Sequence, residues 1–237
     1  MIPVSYDLHT HSCLSPCGDN ESTPVNIAGM AALAGLDVIA LTDHNTARNC
    51  PAFLEACEAY GVIGIPGMEL TTMEEIHVVC LFENLDDALK FDSYVYEKLQ
   101  KIENNPEIFG EQRICDSDEN IIGYEKYLLI NATNIAFDDV YDAVKEFNGV
   151  MIPAHIDKNA NSLFSNLGFV PEGSRFTWVE LADIKNLHRL RSEHPYLEKC
   201  KIITDSDAHY LPKINEPVNT LYVKEKSVKG VMDVLRS

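Results

Sequence analysis

Short apolar runs alternate with helix-patterned segments along most of the chain. Val4 to Leu8 and Asp37 to Leu41 read as strands, the second almost wholly apolar, as suits a strand buried on both faces. Val62 to Ile65 runs on into Pro66-Gly67-Met68-Glu69, and further strand candidates follow at His77 to Phe82, Val150 to Ile152, Trp178 to Leu181, Lys201 to Thr204 and Thr220 to Val223. Between them, Ile27, Met30, Ala31 and Ala34 form a stripe at helical spacing, entered through Thr23-Pro24 and stopped by Gly35. Pro51 to Tyr60, closed by Gly61, and Phe137 to Phe147 are two more helices. This alternation predicts an α/β fold with a parallel sheet or a small barrel. Leu85 to Ile102 reads as one long helix, and Asp116 to Gly123 as a turn between Gln112-Arg113-Ile114 and Tyr124-Glu125-Lys126. Residues of about 85–130 therefore read as an inserted helix and hairpin on a single domain spanning 1–237.

The 237 residues, 46% of them apolar, suit one soluble α/β domain, and no run reaches the ~18 uninterrupted apolar residues of a membrane span. Met1 to Asp7 lacks the basic and apolar regions of a signal peptide, so a cytoplasmic location without a membrane partner is expected. The seven cysteines are odd in number and scattered, which predicts reduced thiols. Cys13 and Cys17 lie near a histidine pair, but no second cysteine pair completes a zinc site. A net charge of −18 argues against a long nucleic acid as partner, because neutralising phosphates takes clustered Lys and Arg.

The chemistry sits where the strands end. His9 and His11 are two residues apart, so in extended chain they project to one side and can converge on an ion. Of the eight histidines, His9, His11, His44, His77, His155 and His209 all fall at or just after the termini of strand candidates. Carboxylates share these places: Glu69 ends a strand, Asp207 precedes His209 by two residues, and Asp19 lies in the loop after the first pair. A carboxylate can bridge two cations where an imidazole cannot, which makes Glu69 the natural bridge of a multinuclear site.

Taken in order, His9-Thr10-His11-Ser12, Thr42-Asp43-His44, Gly67-Met68-Glu69, the isolated His155 and Ser206-Asp207-Ala208-His209 resemble the motifs of the PHP (polymerase and histidinol phosphatase) family. The resemblance implies a distorted (β/α)7 TIM-like barrel with three divalent transition-metal ions, Zn, Mn or Fe, at the C-terminal strand ends. Carried over by position, His9, His11, Glu69 and Asp207 would hold one ion, Glu69, His77 and His155 a second, and Asp19, His44 and His209 a third, with Glu21 the alternative to Asp19. Asp7 and Asp43 would orient imidazoles, and Asp205 would stay outside the ligand set.

Three divalent cations set against three carboxylates leave a centre of roughly +3, a field suited to a phosphate dianion despite the acidity of the whole chain. The implied activity is phosphoester hydrolysis by a metal-activated hydroxide on a small phosphorylated metabolite or nucleotide, with His155, His209 and Asp207 at the reacting centre. Lys158, Arg175 and Arg113 are the candidate phosphate-binding cations. The competing readings are a PHP-type nuclease or proofreading exonuclease, a C–N hydrolase of amidohydrolase type, whose usual bridging lysine has no counterpart here, and a non-catalytic metal-binding module.

Overall fold

The computed structural model describes residues 1–237. The chain begins β1 (Ile2–Asp7), α1 (Pro24–Ala34), β2 (Val38–Leu41), α2 (Cys50–Tyr60), β3 (Ile63–Thr71) and β4 (His77–Leu81). An outlying section follows, made of α3 (Leu85–Lys98), α4 (Pro106–Phe109), β5 (Arg113–Cys115) and β6 (Ile121–Tyr124). The alternation then resumes with α5 (Phe137–Glu146), β7 (Val150–Pro153), α6 (Leu163–Asn166), β8 (Trp178–Glu180), α7 (Leu187–Glu193), β9 (Lys201–Ile203), β10 (Thr220–Val223) and α8 (Val228–Leu235).

Local chemistry accounts for the element ends. Thr23 caps α1 by accepting the Asn26 N–H, Pro24 occupies the first turn, and Gly35 closes the helix at φ 83°, a left-handed backbone that costs glycine least. β3 extends well past Ile65, through Pro66 to Thr71: Pro66 lacks a ladder donor, yet its carbonyl accepts the Phe82 N–H at 2.9 Å. At Gly67 a Cβ would stand 2.6 Å from the Cys80 carbonyl oxygen, so glycine is what allows β4 to lie this close.

The regular ladders give a six-stranded sheet in the order β10-β1-β2-β3-β4-β7, a parallel β8-β9 pair and the β5-β6 hairpin. β1, β2 and β3 are parallel, but β4 runs antiparallel to β3 and β7, and β10 antiparallel to β1. The sheet is therefore mixed, not uniformly parallel. Only residues 72–76 separate β3 from β4, too few for the helical crossover a parallel pair requires. Single contacts replace ladders at two seams: Ile156 N–H donates to the Glu180 carbonyl at 2.9 Å, and His11 N–H to the Ala208 carbonyl at 2.8 Å. They draw the α/β sheet into a curl with one rim in common.

Strand alternation divides the core into two layers. Val4, Tyr6, Val38, Ala40, Ile65, Val79, Ile152 and Trp178 cluster with Val231, Met232 and Leu235 of α8. Ile39, Leu41, Met68, Leu70, Val78 and Cys80 cluster with side chains of α1, α2, α3 and α5. Each fully buried aliphatic or aromatic side chain contributes about 1.5–3 kcal/mol, so the two layers hold the rim as a stiff frame. The inserted section is tied down near that rim: Asn49 donates to the Arg113 carbonyl and accepts the Cys115 N–H, while Arg48 pairs with Glu125. No helix is long and apolar enough to cross a membrane.

Candidate metal centre

The rim collects the histidines because of how each strand runs. His9 and His11 follow β1, His44 follows β2, His155 follows β7, and Asp207 and His209 follow β9. His77 opens its strand rather than closing it, which places it on the same rim because β4 is antiparallel. Glu69 lies near the end of β3, bridged to His44 and beside Val79 in the ladder.

Five imidazoles surround one carboxylate. Glu69 Oε1 lies 2.9 Å from His77 Nδ1, 3.0 Å from His155 Nε2 and 3.3 Å from His9 Nε2. Its Oε2 lies 2.9 Å from His44 Nδ1 and 3.4 Å from His11 Nε2. Asp207 Oδ1 closes the other side, 3.4 Å from His9 Nε2 and 3.3 Å from His11 Nε2. Potential ligand atoms converge within 4.8 Å in three groups: His9, His11, Glu69 and Asp207; His44, Glu69 and His77; and His11, His44 and His209.

Hydrogen bonding does not satisfy this cluster. Glu69 Oε2 and His44 Nδ1, though 2.9 Å apart, are not hydrogen-bonded to each other, His155 Nδ1 is buried without a partner, and His9 Nε2 faces His11 Nε2 at 3.1 Å. A buried polar atom left unpaired costs about 1–3 kcal/mol, and several meeting at one point describe a cradle for cations. Both carboxylates and two of the imidazoles, those of His11 and His44, are shifted toward the forms a cation binds. Burial pulls Glu69 upward, but His77, His9 and His44 hold its carboxyl well below the usual range. Burial likewise opposes the Asp207 charge, and His9 and His11 outweigh it, lowering its pKa. Burial pushes His11 down, helped by His209 and His44, and burial also pushes His44 down. Divalent metals bind ionised carboxylates and neutral imidazoles, and His9 departs from that: burial pulls it down, but Glu180, Glu69 and Asp207 outweigh burial and raise its pKa, so an ion held there would displace the His9 proton. His155 and Asp207 hold left-handed backbones, φ 30° and 50°, a strain that persists only where the surroundings enforce it.

A second layer sets the imidazoles. Glu180 Oε2 lies 2.8 Å from His9 Nδ1, both side chains being almost wholly buried, which turns Nε2 toward the cluster. Asp43 accepts the Ser12 N–H at 2.7 Å and the Ser15 hydroxyl at 2.7 Å, and Ser15 Oγ lies 3.0 Å from His11 Nδ1, so Asp43 reaches His11 through Ser15. Asp7, expected to orient an imidazole, instead accepts the backbone N–H groups of Ser206 and Asn215 and fixes the loop that carries Asp207. Asp205 accepts the Leu8 N–H at 2.7 Å. Glu180 escapes the sequence reading, and its only signal is a lone acid inside the apolar run Trp178-Val179-Glu180-Leu181. Glu180→Ala should weaken metal retention about 10–100-fold, measured by competition with a chelator; unchanged retention would remove Glu180 from the centre.

Four expected residues are not gathered in. Asp19 is half-buried, its Oδ1 accepts the Glu21 N–H at 2.8 Å, and it joins none of the three groups; Glu21 is exposed. Arg175 pairs with Asp142 at 2.6 Å and lines a cavity with Val150, Met151, Phe176 and Thr177, at the strand ends opposite His155 and Glu180. The sequence places Arg175 in the loop before β8, and that loop lies on the far end of the sheet, which removes it from the phosphate-binding candidates. Arg113 stays in the hairpin with its guanidinium on Glu111 at 2.7 Å. Lys158 alone reaches the rim, bonded to Asp207. Burial opposes its charge, but Asp207, Glu69 and Glu180 prevail and raise its pKa. Lys213, unmarked in the sequence, lines an opening beside Cys17, Asp207, His209 and Tyr210.

The model of the PHP domain matches residues 7–157, a span that includes every cluster residue except Glu180, Asp207 and His209. Over 90 residues the chain is 37% identical to the 5'-3' exoribonuclease Rnm of Salmonella typhimurium, a stretch covering 36% of this chain and 29% of that protein. The lesion-specific endonuclease PfuEndoQ of Pyrococcus furiosus superposes with a TM-score of 0.73 at 16% identity, over 99% of this chain and 56% of that one. A candidate metal-dependent phosphoesterase of Bifidobacterium adolescentis gives a TM-score of 0.60 at 17% identity, over 98% and 95% of the two chains. At such identities the two structures establish the fold alone. The chain thus spans about half of the endonuclease, and the exoribonuclease match spans under a third of that protein.

Proposed function

The chain belongs to the PHP domain family, and from that premise we propose that it is a metal-dependent hydrolase of phosphoesters, with its ions held around Glu69. The observation that carries this reading is the buried Glu69 carboxylate ringed by His9, His11, His44, His77 and His155, with polar atoms left unpaired. His9, His11, Glu69 and Asp207 would hold one ion, and Glu69 and His77 a second, completed by His44 or His155. His44 and His209 would hold a third, completed by His11 or by Asp19 released from Glu21. In this reading the strands β1, β2, β3, β4, β7, β8 and β9 form the distorted (β/α)7 barrel, and 1–237 is one domain.

Divalent cations bound there would act as Lewis acids toward phosphoryl oxygens and acidify a water, and Zn, Mn and Fe all suit the nitrogen and oxygen donor set. The protein's own part is positioning. His155, His209 and Asp207 fix the reacting centre, while Glu180 and Ser15 hold the His9 and His11 rings in place. Lys158, at present paired with Asp207, would turn to a nonbridging phosphate oxygen once Asp207 is drawn to a cation.

The substrate in this reading is a small phosphorylated compound or a short nucleotide. Cleavage of a longer nucleic acid is the second reading, favoured by the names of the exoribonuclease and endonuclease relatives and opposed by the net charge of −18. Protein reconstituted with Zn, Mn or Fe and assayed on phosphomonoesters, dinucleotides and oligonucleotides separates the two. Turnover of monoesters or dinucleotides is expected. Turnover confined to oligonucleotides would favour the nuclease, and none in any metal would leave a non-catalytic module.

A further inference from the structure

Asn45 follows His44 directly, is completely buried, and holds a left-handed backbone at φ 51°. Three segments meet on it. Its N–H donates to the Glu69 carbonyl at 2.9 Å and its Oδ1 accepts the Thr71 N–H at 2.8 Å, so it grips β3 on both sides of Leu70. Its Nδ2 donates to the carbonyls of Leu129 at 2.7 Å and Asn131 at 2.9 Å, in the segment that leads out of the inserted section. Every polar atom of the side chain thus has a backbone partner. Among the residues that adopt this backbone readily, asparagine alone can do so: glycine offers no side chain, and aspartate would aim a carboxylate at two carbonyl oxygens.

Both ends of the link are firm. On one side Leu129 is completely buried and its N–H donates to Gln112 Oε1 at 2.8 Å, while Gln112 Nε2 donates to the Glu125 and Tyr127 carbonyls. On the other, the Glu69 N–H donates to the carbonyls of Thr42 at 3.2 Å and Asp43 at 3.1 Å, which laces the strand of Glu69 to the loop of His44. His44, Glu69 and His77 are one of the groups whose ligand atoms converge. Ligands already fixed by their surroundings bind an ion without the entropy loss of ordering them.

We propose that Asn45 is a positioning residue of the metal centre: it locks the His44 loop and the Glu69 strand to the exit of the inserted section, and so presets the gap in which His44 and Glu69 receive an ion. This rests on the metal-centre reading and extends it, because the inserted section then helps to hold the ion although none of its side chains belongs to the converging groups. Asn45 acts through backbone and not as a ligand. Without its side chain, the Thr71 N–H and the Leu129 and Asn131 carbonyls lose a partner, and the two backbones that carry His44 and Glu69 lose their common anchor.

Zinc retention of the loaded full chain against a chelator, measured beside the melting temperature of the metal-free protein, tests this. Asn45→Gly keeps the left-handed backbone and should weaken retention about 10–100-fold, the usual effect of removing a group that orients ligands. Asn45→Asp keeps the acceptor for Thr71 but not the donors, and should weaken retention as well; it carries the test if the glycine variant does not fold. Thr133→Val removes a bond of 2.8 Å to the Thr71 carbonyl, on the same strand but without Asn45, and should lower the melting temperature while retention stays at the wild-type value. Wild-type retention in either Asn45 variant, or an equal loss of retention in Thr133→Val, overturns the assignment. A wild type that binds none of Zn, Mn and Fe overturns the metal centre and this inference with it, a result distinct from the failure of Asn45 alone.

Discussion

Glu69→Gln is expected to empty the centre, with metal content and phosphoester turnover falling together and turnover dropping by about three orders of magnitude, or ~4 kcal/mol of barrier. Glutamine keeps the volume and one acceptor but removes the charge on which five imidazoles converge. The protein should remain folded, since glutamine fills the same volume and offers the surrounding imidazoles both a donor and an acceptor. Metal analysis beside circular dichroism checks this. Wild-type loading in a folded variant would exclude Glu69 as a bridge.

The largest effect on stability is expected at Phe53. It lies in α2, is completely buried, and belongs to the outer core layer that α1 and α2 share with β2 and β3. Phe53→Ala should cost about 3–5 kcal/mol through lost transfer energy and an unfilled cavity, a large part of the 5–15 kcal/mol typical of a folded domain. Urea unfolding followed by fluorescence should show a lower midpoint at an unchanged slope. A loss below about 1 kcal/mol would mean that the helices of this layer collapse onto the gap, and that the layer does not hold the rim rigidly.

The rim was legible because its signals are local. A strand ends, and a histidine or acid stands within a few residues, as at His9, His44, His155 and His209; Thr23-Pro24 and Gly35 marked α1 in the same local way. What sequence could not convey depends on direction and pairing. The short link 72–76 turns β4 antiparallel, which is why His77 serves the rim from the start of its strand. Arg175 is a candidate in sequence because it lies in the loop that follows the His155 strand, but the loops before β7 and β8 lie at the opposite end of the sheet. Glu180 sits in an apolar run, and only its partner, His9, far away in sequence, explains an acid there. Asp19 carries a local turn with Glu21 that competes for the same oxygen a cation would need. Seam contacts such as Ile156 with Glu180 are single bonds between distant segments, for which alternating hydrophobicity holds no information.

The central claim is that these side chains form a multinuclear metal centre, and the stoichiometry of bound metal tests it most directly. Protein purified without chelator and saturated with Zn, Mn or Fe in turn, then freed of unbound ions, should carry about two to three ions per chain by inductively coupled plasma mass spectrometry, because the ligand atoms exceed what one four-coordinate ion can use. One ion or fewer per chain under every metal would contradict it.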